Sequence, residues 1–303
     1  MNLLSYFLKK CSVMQWGIGI ARGDISEMIR NKKLDLQFTW LEQKNTLHFI
    51  ADPFIIVNSD GELQILHEDF SIAENGFISV KMLDQQLKEI AQKQLLKQNN
   101  HLSYPFIFVD EDKTYLIPES SSNGELAAYE YDITNTVLHN KKVLLNLPLL
   151  DASFLKYNNK YWVFASLADG VFDDSKLYIY YADSFTGEYT AHPKNPVKEN
   201  LNGSRPAGNF IAVDGDLYRP AQNSSEYYGK SITINKILRL TEDEFEEECY
   251  FEIDASQQSY FNAGVHTINS SGGMVVIDGV KLLFMPLTKT RLFIKDTFKK
   301  WKN

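Results

Sequence analysis

Three carboxylates stand out by setting: Asp52 in Ala51-Asp52-Pro53-Phe54, Glu119 in Ile117-Pro118-Glu119-Ser120 and Asp151 in Leu150-Asp151-Ala152-Ser153. Two carboxyl groups placed across a sugar can do acid–base work on a glycosidic bond. Asp52, Glu119 and Asp151 are therefore candidate catalytic residues, with Asp52 as the base. Each also has a plainer reading: an Asx cap or turn at a strand start for the two aspartates, edge solvation for Glu119. Pro53 biases Asp52 towards an extended backbone. Glu68, His101, Tyr104, Arg205, Arg219, Gln222 and His266 are candidate substrate-binding residues. Arg205 and Arg219 could grip a carboxylate or phosphate through two parallel hydrogen bonds, which would suit an anionic sugar or a sugar phosphate. Inter-blade ion pairs are the alternative for both, and a buried structural role is the alternative for His101.

These residues lie far apart in the chain, so a repeated framework must gather them. Five segments share one pattern: a short polar motif, an apolar strand, a tight turn and a second apolar strand. They run from Ala51 to Glu68, Ser103 to Glu119, Asp151 to Ala165, Arg205 to Gln222 and Asn262 to Asp278. The turns carry Asp, Asn and Gly, which tolerate the positive φ of tight hairpins. The motifs recur at roughly fifty residues, the length of a four-stranded propeller blade. The prediction is an all-β chain folded as one five-bladed β-propeller, with 176–182 and 231–238 among the outer strands. The innermost strand of each blade lines the axis, so Asp52, Tyr104, Asp151, Arg205 and His266 should meet in one funnel. Glu68, Glu119 and Gln222 end the second strands of their blades at a matching register.

Two segments fit less well. Residues 83–99 look helical by propensity, with an outer strand over 88–96 as the alternative. Residues 290–303 read as a short C-terminal basic amphipathic helix, with Phe293, Phe298 and Trp301 on one side and Lys295, Lys299 and Lys302 nearer the other. Such a helix could make a peripheral contact with an anionic membrane, or pack on the propeller. The expected division is an N-terminal extension at 1–15, the propeller at 16–289 and this helix at 290–303.

Composition narrows the function. The chain has 303 residues, 44% hydrophobic and 23% charged, which excludes disordered, collagen-like and coiled-coil chains. Aromatic residues make up 13%, which suits both pleated surfaces and sugar stacking. The net charge of −8 argues against a nucleic acid polymer as partner. Cys11 and Cys249 form no metal or disulfide pattern. Zinc spacings, phosphate loops, nucleophile elbows and dinucleotide fingerprints do not occur in the sequence, so neither a metal nor a cofactor is called for. The acidic run 242–248 reads as a solvated loop. The N-terminal apolar run is short and its lysines follow it, so no signal peptide is expected and the cytoplasm, at the inner face of the membrane if the helix binds there, is the expected location.

Seven motifs in order carry a resemblance: Phe49-Ile-Ala-Asp-Pro-Phe54, His101-Leu-Ser-Tyr-Pro-Phe106, Ile117-Pro-Glu-Ser120, His192-Pro-Lys-Asn-Pro196, Arg205-Pro-Ala-Gly208, Tyr218-Arg-Pro-Ala-Gln222 and Gly264-Val-His-Thr267. From about Trp16 to Asp278 the chain resembles the N-terminal domain of plant glucosamine inositolphosphorylceramide transferases and their bacterial relatives. That domain is similar in turn to the five-bladed propeller of family 43 glycoside hydrolases. The resemblance implies a glycan or activated sugar as partner, and for the bacterial relatives a place near surface-polysaccharide genes. It supports Asp52 as the base and, more loosely, Asp151 as a residue that tunes the acid or orients sugar. Glu119 departs from the hydrolase pattern, in which the acid stands in a later blade. Two functions are expected from this: transfer or cleavage of a glycosidic bond in surface-polysaccharide assembly, or non-catalytic docking of a glycan for a separate glycosyltransferase.

Overall fold

The first described strand pairs along its whole length with the last. The computed structural model describes residues 12–286 except 44, 46, 59–60, 72–73, 171–173 and 259. Strand β1 (Ser12–Arg22) runs antiparallel to the C-terminal strand Met274–Phe284, from Ser12 opposite Phe284 to Arg22 opposite Met274. Helix α1 (Ile25–Asn31), capped by the Asp24 carboxylate on the Ser26 N–H, leads to β2 (Thr39–Trp40). The chain then lays down four further sheets in order.

Blade one is β3 (His48–Val57), β4 (Leu63–Ser71), β5 (Phe77–Leu83) and β6 (Glu89–Leu96). Blade two is β7 (Ser103–Asp110), β8 (Lys113–Glu119), β9 (Leu126–Asp132) and β10 (Val137–Leu145). Blade three is β11 (Leu149–Tyr157), β12 (Lys160–Leu167) and β13 (Lys176–Ala182), with short β14 (Thr190–Ala191) and β15 (Lys198–Glu199) on β13. In blade four, β16 (Asn202–Pro206) and β17 (Ile211–Val213) share β18 (Asp216–Asn223), followed by β19 (Ser231–Leu240) and β20 (Phe245–Asp254). Blade five is β21 (Ile268–Ser271) and β22 (Met274–Phe284), completed by β1 and β2. The ring is a five-bladed β-propeller closed by strands from both ends of the described chain.

A packed cluster fills each gap between blades, because both faces of every sheet must be covered. Phe106, Phe108, Phe154 and Val163 join blades two and three. Trp162, Phe164, Leu177 and Leu240 join three and four. Ile211, Ile234, Val265 and Val275 join four and five, and Ile18, Ile20, Ile50 and Ile65 join five and one. Leu66, Val80, Leu102 and Leu116 join one and two.

Three expectations change. Residues 83–99 form no helix: a turn, with Leu87 N–H donating to Asp84 O, leads into β6, the outer strand expected as the alternative over 88–96, whose pairing with β5 overrides local propensity. The acidic run is largely strand: Glu246–Glu248 lie in β20, paired with β19. The first described strand begins at Ser12, inside the expected extension. The expected C-terminal helix at 290–303 lies outside the described residues.

Candidate carbohydrate site

The inner strands of blades one, two and three carry the same irregularity. Ala51 pairs with Glu68 and Phe54 with Leu66, so Asp52 and Pro53 stand opposite one residue of β4. Ser103 and Phe106 pair with Glu119 and Ile117, and Leu150 and Ser153 with Ser166 and Phe164. Each is a one-residue bulge, a device that re-aims side chains beside sites. The bulged residues Asp52, Tyr104 and Asp151 have φ of 52°, 41° and 48°. This corrects the extended backbone expected for Asp52: the left-handed conformation overrides the bias from Pro53.

What holds the bulges is a chain of carboxylates. The Asp52 N–H donates to Asp278 Oδ2 (3.2 Å), the Tyr104 N–H to Asp52 Oδ2 (3.2 Å) and the Asp151 N–H to Glu119 Oε2 (3.4 Å). Each acid comes from the preceding blade around the ring. The same residues that strain the backbone are thereby tied together in the centre of the molecule.

At the next step the link becomes an ion pair. Arg205 of β16 donates from Nε to Asp151 Oδ2 at 2.6 Å and from Nη2 to Oδ1 at 3.3 Å, while Nη1 reaches Asp174 Oδ1 at 2.7 Å. Its Nη2 lies 3.6 Å from Glu119 Oε2. Gln222 donates to Asp151 Oδ2 at 2.6 Å. On the other side His266 Nε2 is 3.6 Å from Asp52 Oδ1, and Nδ1 is 2.5 Å from Asp278 Oδ2. Thr267 Oγ1 donates to Asp52 Oδ1 at 2.9 Å. Asp52, His266 and Asp278 bring their polar atoms within 4.8 Å of one another.

Burial sets the electrostatics. It pushes the Asp52 carboxyl up to about 7, against the opposing pull of His266, with Asp151, Glu68 and Asp278 adding to the rise. Burial and the neighbouring Asp151 push Glu119 up to about 8, opposed by Arg205. For His266 burial works downwards, yet Asp278 and Asp52 outweigh it and raise the imidazole to about 9. The cluster therefore holds two carboxyls that exchange protons near neutrality beside fixed cations, the arrangement acid–base chemistry requires.

The rim is aromatic and polar. Trp16 of β1 stacks on His266 with ring centroids 4.0 Å apart, and Tyr228 meets His266 edge-on at 5.4 Å. Tyr228 is 40% exposed and lies 5.7 Å from the Arg205 guanidinium. Glu68 pairs with His101 at 3.1 Å, which raises the imidazole despite its partial burial.

The structure thus brings together Asp52, Glu119, Asp151, Arg205, Gln222 and His266, with Glu68 and His101 beside them. Two expected substrate-binding residues are elsewhere engaged. Arg219 has no exposed surface and is held by Glu247 and by the carbonyls of Gly203 and Ser204 within blade four. Tyr104 is also fully buried: its hydroxyl pairs with Ser153 Oγ and its ring packs on Phe54. Arg205 spends its donors on Asp151 and Asp174, so the expected grip on an anionic sugar is replaced by internal ion pairs. Sequence reasoning missed Asp278, Asp174, Thr267, Trp16 and Tyr228. Asp278 is the last residue of the fifth sequence repeat, so the register that marked Glu68, Glu119 and Gln222 also pointed to it. Asp174 and Tyr228 lie on loops and carry no periodic signal.

Known proteins match this architecture. A sequence profile described as glucosamine inositolphosphorylceramide transferase 1, N-terminal, matches residues 39–270. The glucosamine inositolphosphorylceramide transferase 1 of Oryza sativa subsp. japonica is 30% identical over 260 residues, which cover 81% of this chain and 35% of that protein. Its Arabidopsis thaliana counterpart is 31% identical over 217 residues, covering 70% of this chain and 28% of that protein. The chain spans about a third of the length of these relatives. Among solved structures, a thermostable family-43 glycoside hydrolase superposes with a TM-score of 0.54 at 14% identity, covering 71% of this chain and 82% of that one. A family-43 β-1,3-galactosidase solved with galactodeoxynojirimycin gives 0.53 at 13% identity, covering 72% and 81%. These two show the shared propeller fold. The profile match and the plant relatives go further: the chain belongs to the family of the N-terminal domain of glucosamine inositolphosphorylceramide transferase 1.

Proposed function

We propose that the central cluster binds a sugar of a glycan or activated glycosyl donor, and that Asp52 acts as base and Glu119 as acid in transfer or cleavage of its glycosidic bond during surface-polysaccharide assembly. One observation carries this reading: carboxyls from blades one, two, three and five converge in a buried centre, and two of them stand near neutrality, at about 7 and 8. Glu119, protonated at neutral pH, gives its proton to the leaving oxygen. Asp52 takes the proton of the incoming hydroxyl, from an acceptor sugar in transfer or from water in hydrolysis. Asp151, fixed by Arg205 and Gln222, tunes the acid: it helps push Glu119 up, which keeps the proton on Glu119 until the leaving oxygen takes it.

A second reading is a glycan-docking module for a separate glycosyltransferase. It is favoured by the engagement of both oxygens of each of the three carboxyls with protein donors. The purified chain, screened against nucleotide sugars and oligosaccharides for binding and turnover, decides between them. Asp52→Asn is expected to lower turnover by about 10²–10⁴ while binding is retained. Binding by the parent without turnover supports docking, and a parent that neither binds nor turns over any sugar refutes both.

A further inference from the structure

The acid–base scheme leaves one central carboxylate without a task. Asp278 lies on β22 with no exposed surface. Its Oδ1 accepts from the backbone N–H groups of His266 at 2.9 Å and Thr267 at 3.0 Å. Its Oδ2 accepts from the Asp52 N–H at 3.2 Å and lies 2.5 Å from His266 Nδ1. Two of the three residues it holds reach the Asp52 carboxyl themselves, through Thr267 Oγ1 and His266 Nε2.

We propose that Asp278 is the positioning residue of the site: from the fifth blade it fixes the bulged backbone of Asp52 and sets the His266 ring and the Thr267 hydroxyl against the Asp52 carboxyl. The inference deepens the acid–base reading and takes its functional meaning from it.

The chemistry of the contacts calls for a carboxylate. Three backbone N–H groups and one imidazole nitrogen converge on two oxygens. An asparagine offers one acceptor oxygen, and its amide group would turn donors towards the Asp52 N–H and the ring. The charges facing His266 are also accounted for. Asp278 on β22 and Asp52 on β3 flank the ring, and Asp151 on β11 adds at longer range. Trp16 on β1 covers one face and Tyr228 meets the edge, both uncharged. Burial lowers the imidazole and these carboxylates outweigh it, so His266 is a cation at neutral pH and draws Asp52 downwards against its own burial. Asp278 and Asp52 thus join the fifth blade to the first, 226 residues apart in the chain.

The test is an NMR titration of histidine-labelled full-length chain, parent against Asp278→Asn, with His266→Gln identifying the resonance. In the parent, His266 is expected to stay protonated past neutrality. In Asp278→Asn its midpoint is expected to fall by about two units, a hundredfold loss of proton affinity. A folded Asp278→Asn protein with an unchanged His266 midpoint overturns the proposal, since a purely structural aspartate would alter melting alone. If that variant does not fold, the parent decides. A His266 midpoint at or below about 6.5 overturns the pairing, and one well above supports it. The titration uses no substrate, so an Asp52→Asn protein with full turnover would refute the acid–base reading and leave this result standing.

Discussion

Arg205 and Asp151 meet in a two-point contact, Nε to Oδ2 at 2.6 Å and Nη2 to Oδ1 at 3.3 Å, in the middle of the propeller. A guanidinium from blade four thus neutralises the carboxylate that pushes Glu119 upwards. Arg205→Met leaves Asp151 and Asp174 without their cation and is expected to cost about 3–5 kcal/mol in urea unfolding. Arg205→Lys keeps the charge and loses the fork, so it should recover part of that stability. Parent-like unfolding of Arg205→Met would show that the pair contributes nothing.

Arg219 makes the same kind of contact to a different end. Its Nε and Nη2 hold Glu247 at 2.8 and 2.6 Å, remote from the carboxylate cluster in its bonding. Arg219→Met is expected to destabilise by about 3 kcal/mol, at the low end for a broken buried pair because Lys198 still reaches Glu247. Sugar binding, measured at a temperature where the variant is folded, should match the parent. A selective loss of binding without loss of stability would return Arg219 to the site.

Stability should fall as pH rises from about 7 to 9. Asp52, Glu119 and His266 all have folded values above their ordinary ones, at about 7, 8 and 9. A raised group holds more protons folded than unfolded, so its stabilisation is complete below its unfolded pKa and is lost as pH rises through the folded one. His67, lowered to about 4 by burial, acts in the opposite sense, but only below its ordinary 6.5. Differential scanning calorimetry is expected to show the melting temperature dropping by on the order of 5 °C across this window. Glu119→Gln should flatten the slope around pH 8. An equal slope in that variant would mean that Glu119 is not held neutral by the fold.

Gly208 is expected to tolerate no side chain. Its φ is 138°, and an added Cβ would sit 2.0 Å from the Ile268 carbonyl oxygen. The close approach lets the adjacent Ile268 N–H donate to Ala207 O, and the Gly208 carbonyl accepts from Ser153 Oγ. Gly208→Ala should cost roughly 2–4 kcal/mol by chemical denaturation, combining strain with a backbone clash. A parent-like Gly208→Ala protein would mean that the join between blades four and five is not tight.

Much of this protein was legible residue by residue. The five hairpins follow from short apolar runs bounded by Asp, Asn and Gly turns, signals that act over a few residues and do not depend on distant parts of the chain. Their spacing set the ring, and the ring placed Asp52, Asp151, Arg205 and His266 together. Tertiary structure alone decided the rest. Residues 89–96 carry helix formers, yet the open edge of β5 captured them as a strand. Asp52 precedes a proline that favours extended backbone, yet the bulge and the Asp278 carboxylate hold it at positive φ. Arg205 and Arg219 looked alike in sequence; their partners, Asp151 in another blade and Glu247 in a run that read as solvated, gave them opposite roles. Local propensity is fixed by the nearest neighbours along the chain. Charge pairing and burial depend on which residues the closed ring packs together, and β22 reaches β1 across almost the whole sequence.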